Sequence, residues 1–295
     1  MLFQRYNFLK MILLTASNMP DCVATAAFAN VVLGYKIVLV KHTESINDDN
    51  FYTLFPDYED QSDSLIIIGT FWKDNINFIT KRFIKTTIYA FGDKIDNCDA
   101  SIFIDINKTG AIQWLIDSYS PNQVFTNDME ELIKMCNARC FGQGDEKVQI
   151  LFSGIYAKSK NGNIYDIFVD LFNKKITIEQ VCELGRFIFE NNKEIVNERV
   201  RKSSKLIQHR LGTMSITEGT EMINLTHDAL RKKYNSDITV VFRYEFSSNG
   251  DKFCYSVRTY TPNINALEIL KNQENAGGSA SAAGAQISTV FEVHF

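Results

Sequence analysis

Five short, nearly continuous apolar runs in the first part of the chain constrain its fold more than any other feature. They are residues 10–16 (KMILLTA), 35–41 (YKIVLVK), 64–68 (SLIII), 86–91 (TTIYAF) and 101–106 (SIFIDI). Strands of this kind are buried on both faces, as in a parallel sheet covered by helices. Residues 21–33 have helical character and stop at Gly34, a residue suited to the position just after a helix. Residues 73–85 are long enough for a crossover helix. The pattern predicts an α/β fold whose N-terminal part is a parallel five-stranded sheet flanked by helices. In such sheets ligands sit beyond the carboxyl ends of the strands, so the loops after strands one, three and four are where chemistry is sought.

After Gly110 the pattern turns helical, with segments at 111–118, 128–138, 147–157, 164–172, 178–189 and 193–208. The last is highly charged (KEIVNERVRKSSK), as helices that bridge domains often are. Residues 225–234 read as a helix. Residues 237–246 and 252–259 read as a β-hairpin across the turn signal SSNGD. A helix at 265–272, a Gly/Ala-rich segment at 275–284 and a last strand at 285–294 complete a small α+β domain. The expected organisation is residues 1–190, a linker helix at 191–211, and a smaller domain at 212–295.

A length of 295 residues suits two domains at roughly 100–200 residues each. A hydrophobic share of 45% with 12% aromatic residues excludes disorder as the main state. The formal charge of −4, from 31 Lys+Arg and 35 Asp+Glu, excludes coating nucleic acid by bulk electrostatics and leaves a local basic groove open. No stretch approaches the roughly 18 apolar residues that span a bilayer. The apolar run at 11–14 is too short for the core of a signal peptide and reads better as a strand. Cys22, Cys98, Cys136, Cys140, Cys182 and Cys254 are scattered, mostly in apolar segments. That suits reduced thiols and predicts a cytoplasmic protein without membrane association.

The most informative motif is AGGSASAAGA at 276–285. Paired glycines let a backbone approach a phosphate closely, and neighbouring small residues would open a helix N-terminus that holds an anion. The competing reading is a tight turn. Upstream, Arg258 in YSVRT could clamp a phosphate bidentately from a strand facing this loop.

The order YSVRT, short helix, GGSASAAGA, strand resembles the C-terminal half of DHHA1 domains, which carry an Arg-containing strand and a GGGH-x-x-AAG loop. Gly277, Gly278, Ala282, Ala283 and Gly284 fall on that pattern, and Ser279 stands where the family has histidine. The resemblance extends over essentially the whole chain, because DHHA1 follows a five-stranded α/β DHH domain through a long helix. It implies a phosphoesterase-like protein with a cleft between two domains, in which Arg258, Gly277, Gly278 and Ser279 contact the phosphate.

The resemblance also implies two metal ions, normally manganese, held by His and Asp residues after the strands. After strand one, the family's His-x-Asp-x-Asp pattern meets Ser17-Asn18-Met19-Pro20-Asp21, leaving only Asp21. The other registration turns the later Asp into Val23. After strand three, Gly69 or Thr70 replaces an Asp. After strand four, AFGDKID replaces Asp-His-His, with Asp93 the nearest carboxylate. In the later GIYTD-like run, SGIYAKSK keeps Gly154-Ile155-Tyr156 and puts Lys158 near the expected carboxylate. Asp21 and Asp93 are therefore the only catalytic remnants, and they would leave mostly water around an ion. No bound metal or cofactor is expected. Asp21 also reads as a carboxylate favoured by a helix N-terminus.

Cys136 and Cys140 lack a second ligand pair at zinc spacing and read as two thiols on a helix. His42, His209, His227 and His294 match no family ligand position, so each is read as an ordinary surface or core histidine. The basic run at 199–205 reads as a solvated helix face, with a nucleic-acid contact as the alternative. Three functions follow. The first is a catalytically inactive protein that binds a phosphate ester, nucleotide or short oligonucleotide. The second is an active phosphodiesterase or oligoribonuclease using Mn²⁺ at a divergent site. The third is an interaction protein with a vestigial cleft. The oligomeric state is left open.

Overall fold

The computed structural model describes residues 11–17, 19–41, 46–56, 58, 63–69, 76–90, 100–104, 110–140, 145–159, 163–219, 222–245, 252–273 and 275–287. The chain forms two compact units, Met1–Ile188 and Phe189–Phe295.

In the first unit, strands β1 (Met11–Ala16), β2 (Lys36–Val40), β3 (Ser64–Ile68), β4 (Lys85–Ala90) and β5 (Ser101–Ile104) form one parallel sheet in the order β2-β1-β3-β4-β5. This is the sheet that the apolar runs predict. Alternate side chains point to opposite faces of a strand. Ile12, Leu14, Leu65, Ile67 and Ile88 therefore share one face with Val38 and Val40, where they pack on Phe51 of α2 (Asp48–Leu54) and on Ile76 and Ile79 of α3 (Ile76–Thr80). Burying each such side chain contributes about 1.5–3 kcal/mol relative to exposure.

Helix α1 (Pro20–Leu33) packs on β1, and every residue from Cys22 to Ala29 is buried. Its small alanines let α4 (Ala111–Tyr119), α5 (Asn127–Cys140) and α7 (Ile164–Phe172) crowd round it. Gly34 ends it as expected. At φ +70° its amide donates to the Asn30 carbonyl (3.2 Å), and the Tyr35 amide reaches the Ala29 carbonyl (3.0 Å). The apolar-run reading passes over α2, whose signal is a capping box: the Asn47 side chain accepts from the Asn50 amide, and the Asn50 side chain accepts from the Asn47 amide.

Helices α6 (Glu146–Ser159) and α8 (Ile178–Ser203) complete the α-helical part. Helix α8 is one helix where the sequence pattern gives two, and it stops earlier than expected. Ser203 and Ser204 donate their hydroxyls back to the Arg199 and Val200 carbonyls, a competition that ends helices. Lys205–His209, read as helix from sequence, is an edge strand, β6.

The second unit is a mixed sheet in the order β10-β11-β9-β8-β7-β6. It adds β7 (Gly212–Glu218), β8 (Ile238–Glu245), β9 (Lys252–Thr259), β10 (Gly277–Gly278) and β11 (Ala282–Ile287). Strands β7 and β8 are parallel and joined by α9 (Ile223–Tyr234), while β8 and β9 form the expected antiparallel hairpin. One face packs with α10 (Ala266–Leu270) through Val240, Val257, Ala283 and Leu270. On the other face Val241 packs with Leu230 of α9 and with Val196 and Val200 of α8.

The Gly/Ala-rich segment departs from expectation. It opens no helix. Gly277 and Gly278 pair with Gly284 and Ala283, and Ala282 already begins the strand that pairs with β9. The Ser279 amide donates to the Ala282 carbonyl (2.7 Å), closing a tight hairpin. Only glycine fits the bend at Gly278, where φ is +137° and a Cβ would lie 2.4 Å from the Ala282 carbonyl oxygen, and Gly284 leaves the sheet face open opposite Ser256.

Candidate functional site

In a parallel sheet of order β2-β1-β3-β4-β5, the strand order reverses between β1 and β3, and the crevice beyond their carboxyl ends is the topological binding position. Here that edge presents Ser17 and Gly69, followed by the first turn of α1. Ser17 donates its amide to the Val40 carbonyl (2.7 Å), and Gly69 sits at φ +68°. Pro20 occupies the first turn of α1 with Asp21 beside it, half-buried. A carboxylate there complements the macrodipole.

Asp21 acts on two buried thiols. Burial, and next the Asp21 charge, push the Cys22 thiol up to about 12. Burial and Asp21 likewise push up the thiol of Cys136 on α5. Both are inert at neutral pH. Asp93 lies outside the described residues, as do Asn18 and Thr70. Among the described residues no three His, Cys, Asp or Glu side chains converge on a point that could hold a metal ion. The manganese pair implied by the resemblance does not fit the described donor set: Ser17, Asp21 and Gly69 supply one carboxylate and no imidazole.

The SGIYAKSK run has a packing explanation. A Cβ on Gly154 would lie 2.1 Å from the Val181 carbonyl oxygen, and one on Gly185 would lie 2.0 Å from the Ile150 carbonyl oxygen. These glycines let α6 and α8 cross in backbone contact. Lys158 falls in the last turn of α6, where a cation is favoured by the dipole.

The second unit offers a different surface. The hairpin register pairs Thr239 with Arg258, Val241 with Ser256 and Arg243 with Cys254. It also sets Ala282, Gly284 and Gln286 opposite Arg258, Ser256 and Cys254. With period-two alternation all of these share one face. A groove of about 460 Å³ runs along it, lined by Ile223, Arg243, Ser256, Asn275, Gly277 and Gly284 among others. Among the described residues Arg243 is the only charged side chain in that lining.

The predicted phosphate-contact residues are thus distributed. Gly277 lines the groove, and a Cβ there would meet nothing within 4 Å. Gly278 is at the hairpin bend at φ +137°, where a Cβ would lie 2.4 Å from the Ala282 carbonyl oxygen. Ser279 is exposed. Its hydroxyl lies 3.3 Å from both the amide and the carbonyl of Ala282, so it braces the turn. Arg258 lies further along the groove's face, partly exposed, and donates to Asn224 Oδ1 (2.6 Å) with Asp228 at 3.9 Å. Burial pushes the Asp228 carboxyl up, and Arg258 partly offsets this.

On this same face, where α9 packs against the sheet, lies a polar cluster. His227 on α9 is fully buried. Its Nδ1 lies 2.6 Å from Thr239 Oγ1, and its Nε2 lies 2.9 Å from Ser256 Oγ. Burial first, and the Arg258 guanidinium second, hold the imidazole down to about 3, so it is neutral at physiological pH. Two signals were present in the sequence. His227 recurs at helical spacing with Ile223, Thr226 and Leu230, which puts it on the inner face of α9. The alternation of β8 likewise places Arg243 on the face of Thr239 and Val241.

The chain matches no protein-family model and no curated protein. Among solved structures it is similar to a pGpG-specific phosphodiesterase, PggH, from Vibrio cholerae. That likeness has 12% identity and a TM-score of 0.56, over 95% of this chain and 94% of that one. A protein of Methanococcus jannaschii assigned to the family II inorganic pyrophosphatases aligns over 96% and 95% of the two chains at 10% identity. Its TM-score of 0.28 carries no argument. Among the described residues no helix is long and apolar enough to cross a membrane. The likeness to this solved structure shows the fold: a parallel α/β unit followed by a mixed-sheet α+β unit, the two-unit order that the sequence resemblance implies.

Proposed function

We propose that the second unit binds a phosphate ester, a nucleotide or short oligonucleotide, along the groove formed by β8, β9 and β11, and that the chain performs no appreciable metal-dependent hydrolysis. The observation that carries this reading is the floor of that groove. Ser256, Gly277 and Gly284 keep it low and open, with Arg243 in its lining and Arg258 further along the same sheet face. A guanidinium beside bare backbone suits a phosphate, which takes charge-assisted hydrogen bonds from both. The ionisable donor set at the β1–β3 edge supports the second half of the reading, since two-metal chemistry needs both ions held in place. The buried thiols Cys22, Cys136 and Cys182 suit a reducing cytoplasm.

The fold neighbour makes pGpG the first probe, followed by cyclic dinucleotides and short oligoribonucleotides. Calorimetry is expected to show binding without Mn²⁺, and chromatography to show no turnover with it. Arg243→Ala and Arg258→Ala should each weaken binding by about ten-fold, the loss of one charge-assisted hydrogen bond. No binding at millimolar concentration overturns the reading. Robust Mn²⁺-dependent turnover that disappears in Asp21→Ala replaces it with an active phosphodiesterase.

A further inference from the structure

The cluster beside the groove, between α9 and the sheet, is a chain of four groups. Tyr260 Oη lies 3.3 Å from Thr239 Oγ1, Thr239 Oγ1 lies 2.6 Å from His227 Nδ1, and His227 Nε2 lies 2.9 Å from Ser256 Oγ. Tyr260, at one end, is exposed. Ser256, at the other, lines the groove. His227 is sealed between them and has no access to water.

A neutral imidazole has one donor and one acceptor nitrogen, so the chain has two arrangements. In one, Ser256 donates to Nε2, Nδ1–H donates to Thr239, and the groove sees only an acceptor oxygen. In the other, every proton points towards the groove: Tyr260 to Thr239, Thr239 to Nδ1, Nε2–H to Ser256. The Ser256 hydroxyl proton is then left for a ligand. Hydrogen bonds aligned head to tail polarise one another, and an anion at the groove end favours the arrangement whose positive ends face it.

We infer that His227 is a positioning residue for the groove: held by Thr239, it donates from Nε2 to Ser256 and turns the Ser256 hydroxyl proton towards an oxygen of the bound anion. This rests on the phosphate-ester reading above. It adds that the groove distinguishes ligands by hydrogen-bond polarity at Ser256, favouring an acceptor-only group such as an ionised phosphoryl oxygen over a group that must donate. Arg243 and Arg258 supply charge, which draws any anion. Ser256, fixed from α9 by His227, supplies a single donor in a set direction.

The chain has four histidines, so the ring nitrogens of His227 can be resolved by ¹⁵N NMR on histidine-labelled full-length protein. With pGpG bound, Nε2 is expected to carry the proton and Nδ1 to be bare. Ser256→Ala leaves the buried Nε2 without its partner and so lowers the thermal transition; at temperatures where the variant is fully folded it should weaken pGpG binding by about ten-fold. His227→Gln, which keeps a donor towards Ser256 and an acceptor towards Thr239, should retain more affinity than His227→Leu. A proton on Nδ1 in the bound protein overturns the inference, and so does a folded Ser256→Ala that binds pGpG as tightly as wild type. Failure of wild type to bind pGpG or inorganic phosphate at millimolar concentration overturns the phosphate-ester reading itself, and this is seen before any variant is made.

Discussion

The β1–β3 edge of the first unit and the groove of the second are both products of a sheet, and they differ in what the sheet demands of the residues displayed. At the β1–β3 edge the buried run ends with Ala16 and Ile68, and the residues displayed next are placed through the backbone: the Ser17 amide bonds the Val40 carbonyl, and Gly69 sits at φ +68°. In the groove the displayed residues are also structural. Ser256 is bonded to a buried imidazole, Gly284 would bring a Cβ within 3.3 Å of the Tyr255 carbonyl oxygen, and Arg258 is tied to α9. An edge built on strand ends sets where backbone groups lie and leaves side-chain chemistry open. A groove built into a sheet face holds both together.

Three changes would break or sharpen that contrast. The largest is Gly154→Val. Forcing a branched side chain against the Val181 carbonyl is expected to cost about 3 kcal/mol or more, as severe overpacking does. All the groove residues belong to Phe189–Phe295, so pGpG binding should survive at temperatures where the first unit's near-ultraviolet signal has melted. Simultaneous loss of both would show that the units are not energetically separable.

Next is pH, which should attack the two regions from opposite sides. His227 has a folded pKa of about 3 against an ordinary 6.5, so the unfolded chain binds the extra proton first. Stability is then full above pH 6.5 and falls as pH drops, by about 2 kcal/mol at about pH 5. The thiol of Cys22 has the reverse linkage. Its folded pKa is about 12 against 9, so stability is full below pH 9 and falls above it, by about 1 kcal/mol at about pH 10. Thermal melts of wild type, His227→Leu and Cys22→Ala between these limits check both. The acid slope should flatten only in the first variant, and the alkaline slope should lessen only in the second, where the Cys136 thiol still contributes. An acid slope unchanged in His227→Leu would mean that the imidazole is not sealed.

Much of the fold was legible because packing writes itself into periodicity. The apolar runs at KMILLTA, SLIII and TTIYAF gave the parallel sheet, and Gly34 gave the end of α1. The 193–208 pattern was misleading at its end, because KLIQH can alternate as a strand as readily as it continues a charged helix. The paired serines that decide between them act through the backbone. The candidate site was legible only in part. Arg258 and the glycine pair stand out in sequence, yet Ser256, Thr239 and His227 are ordinary residues until the register of β8 and β9 brings them together across α9. Hydrogen bonds between residues 12 to 29 positions apart leave no local signature.

The smallest expected effect on stability is the one that separates the two roles of the glycine pair. Gly278 sits at φ +137°, and a Cβ there would lie 2.4 Å from the Ala282 carbonyl oxygen. Gly278→Ala should therefore cost about 1–3 kcal/mol whether or not any ligand exists. Gly277 has an ordinary backbone and open space where a Cβ would go, so Gly277→Val is expected to change stability by no more than about 0.5 kcal/mol. Its side chain would instead fill the groove beside Gly284 and Ser256. If a phosphate closely approaches this backbone, Gly277→Val loses about ten-fold or more in pGpG affinity with its thermal transition unmoved, since a blocked approach forfeits at least one charge-assisted hydrogen bond. If affinity is also unmoved, the glycine pair serves only the hairpin bend, and the ligand's contacts lie towards Arg243 and Ser256.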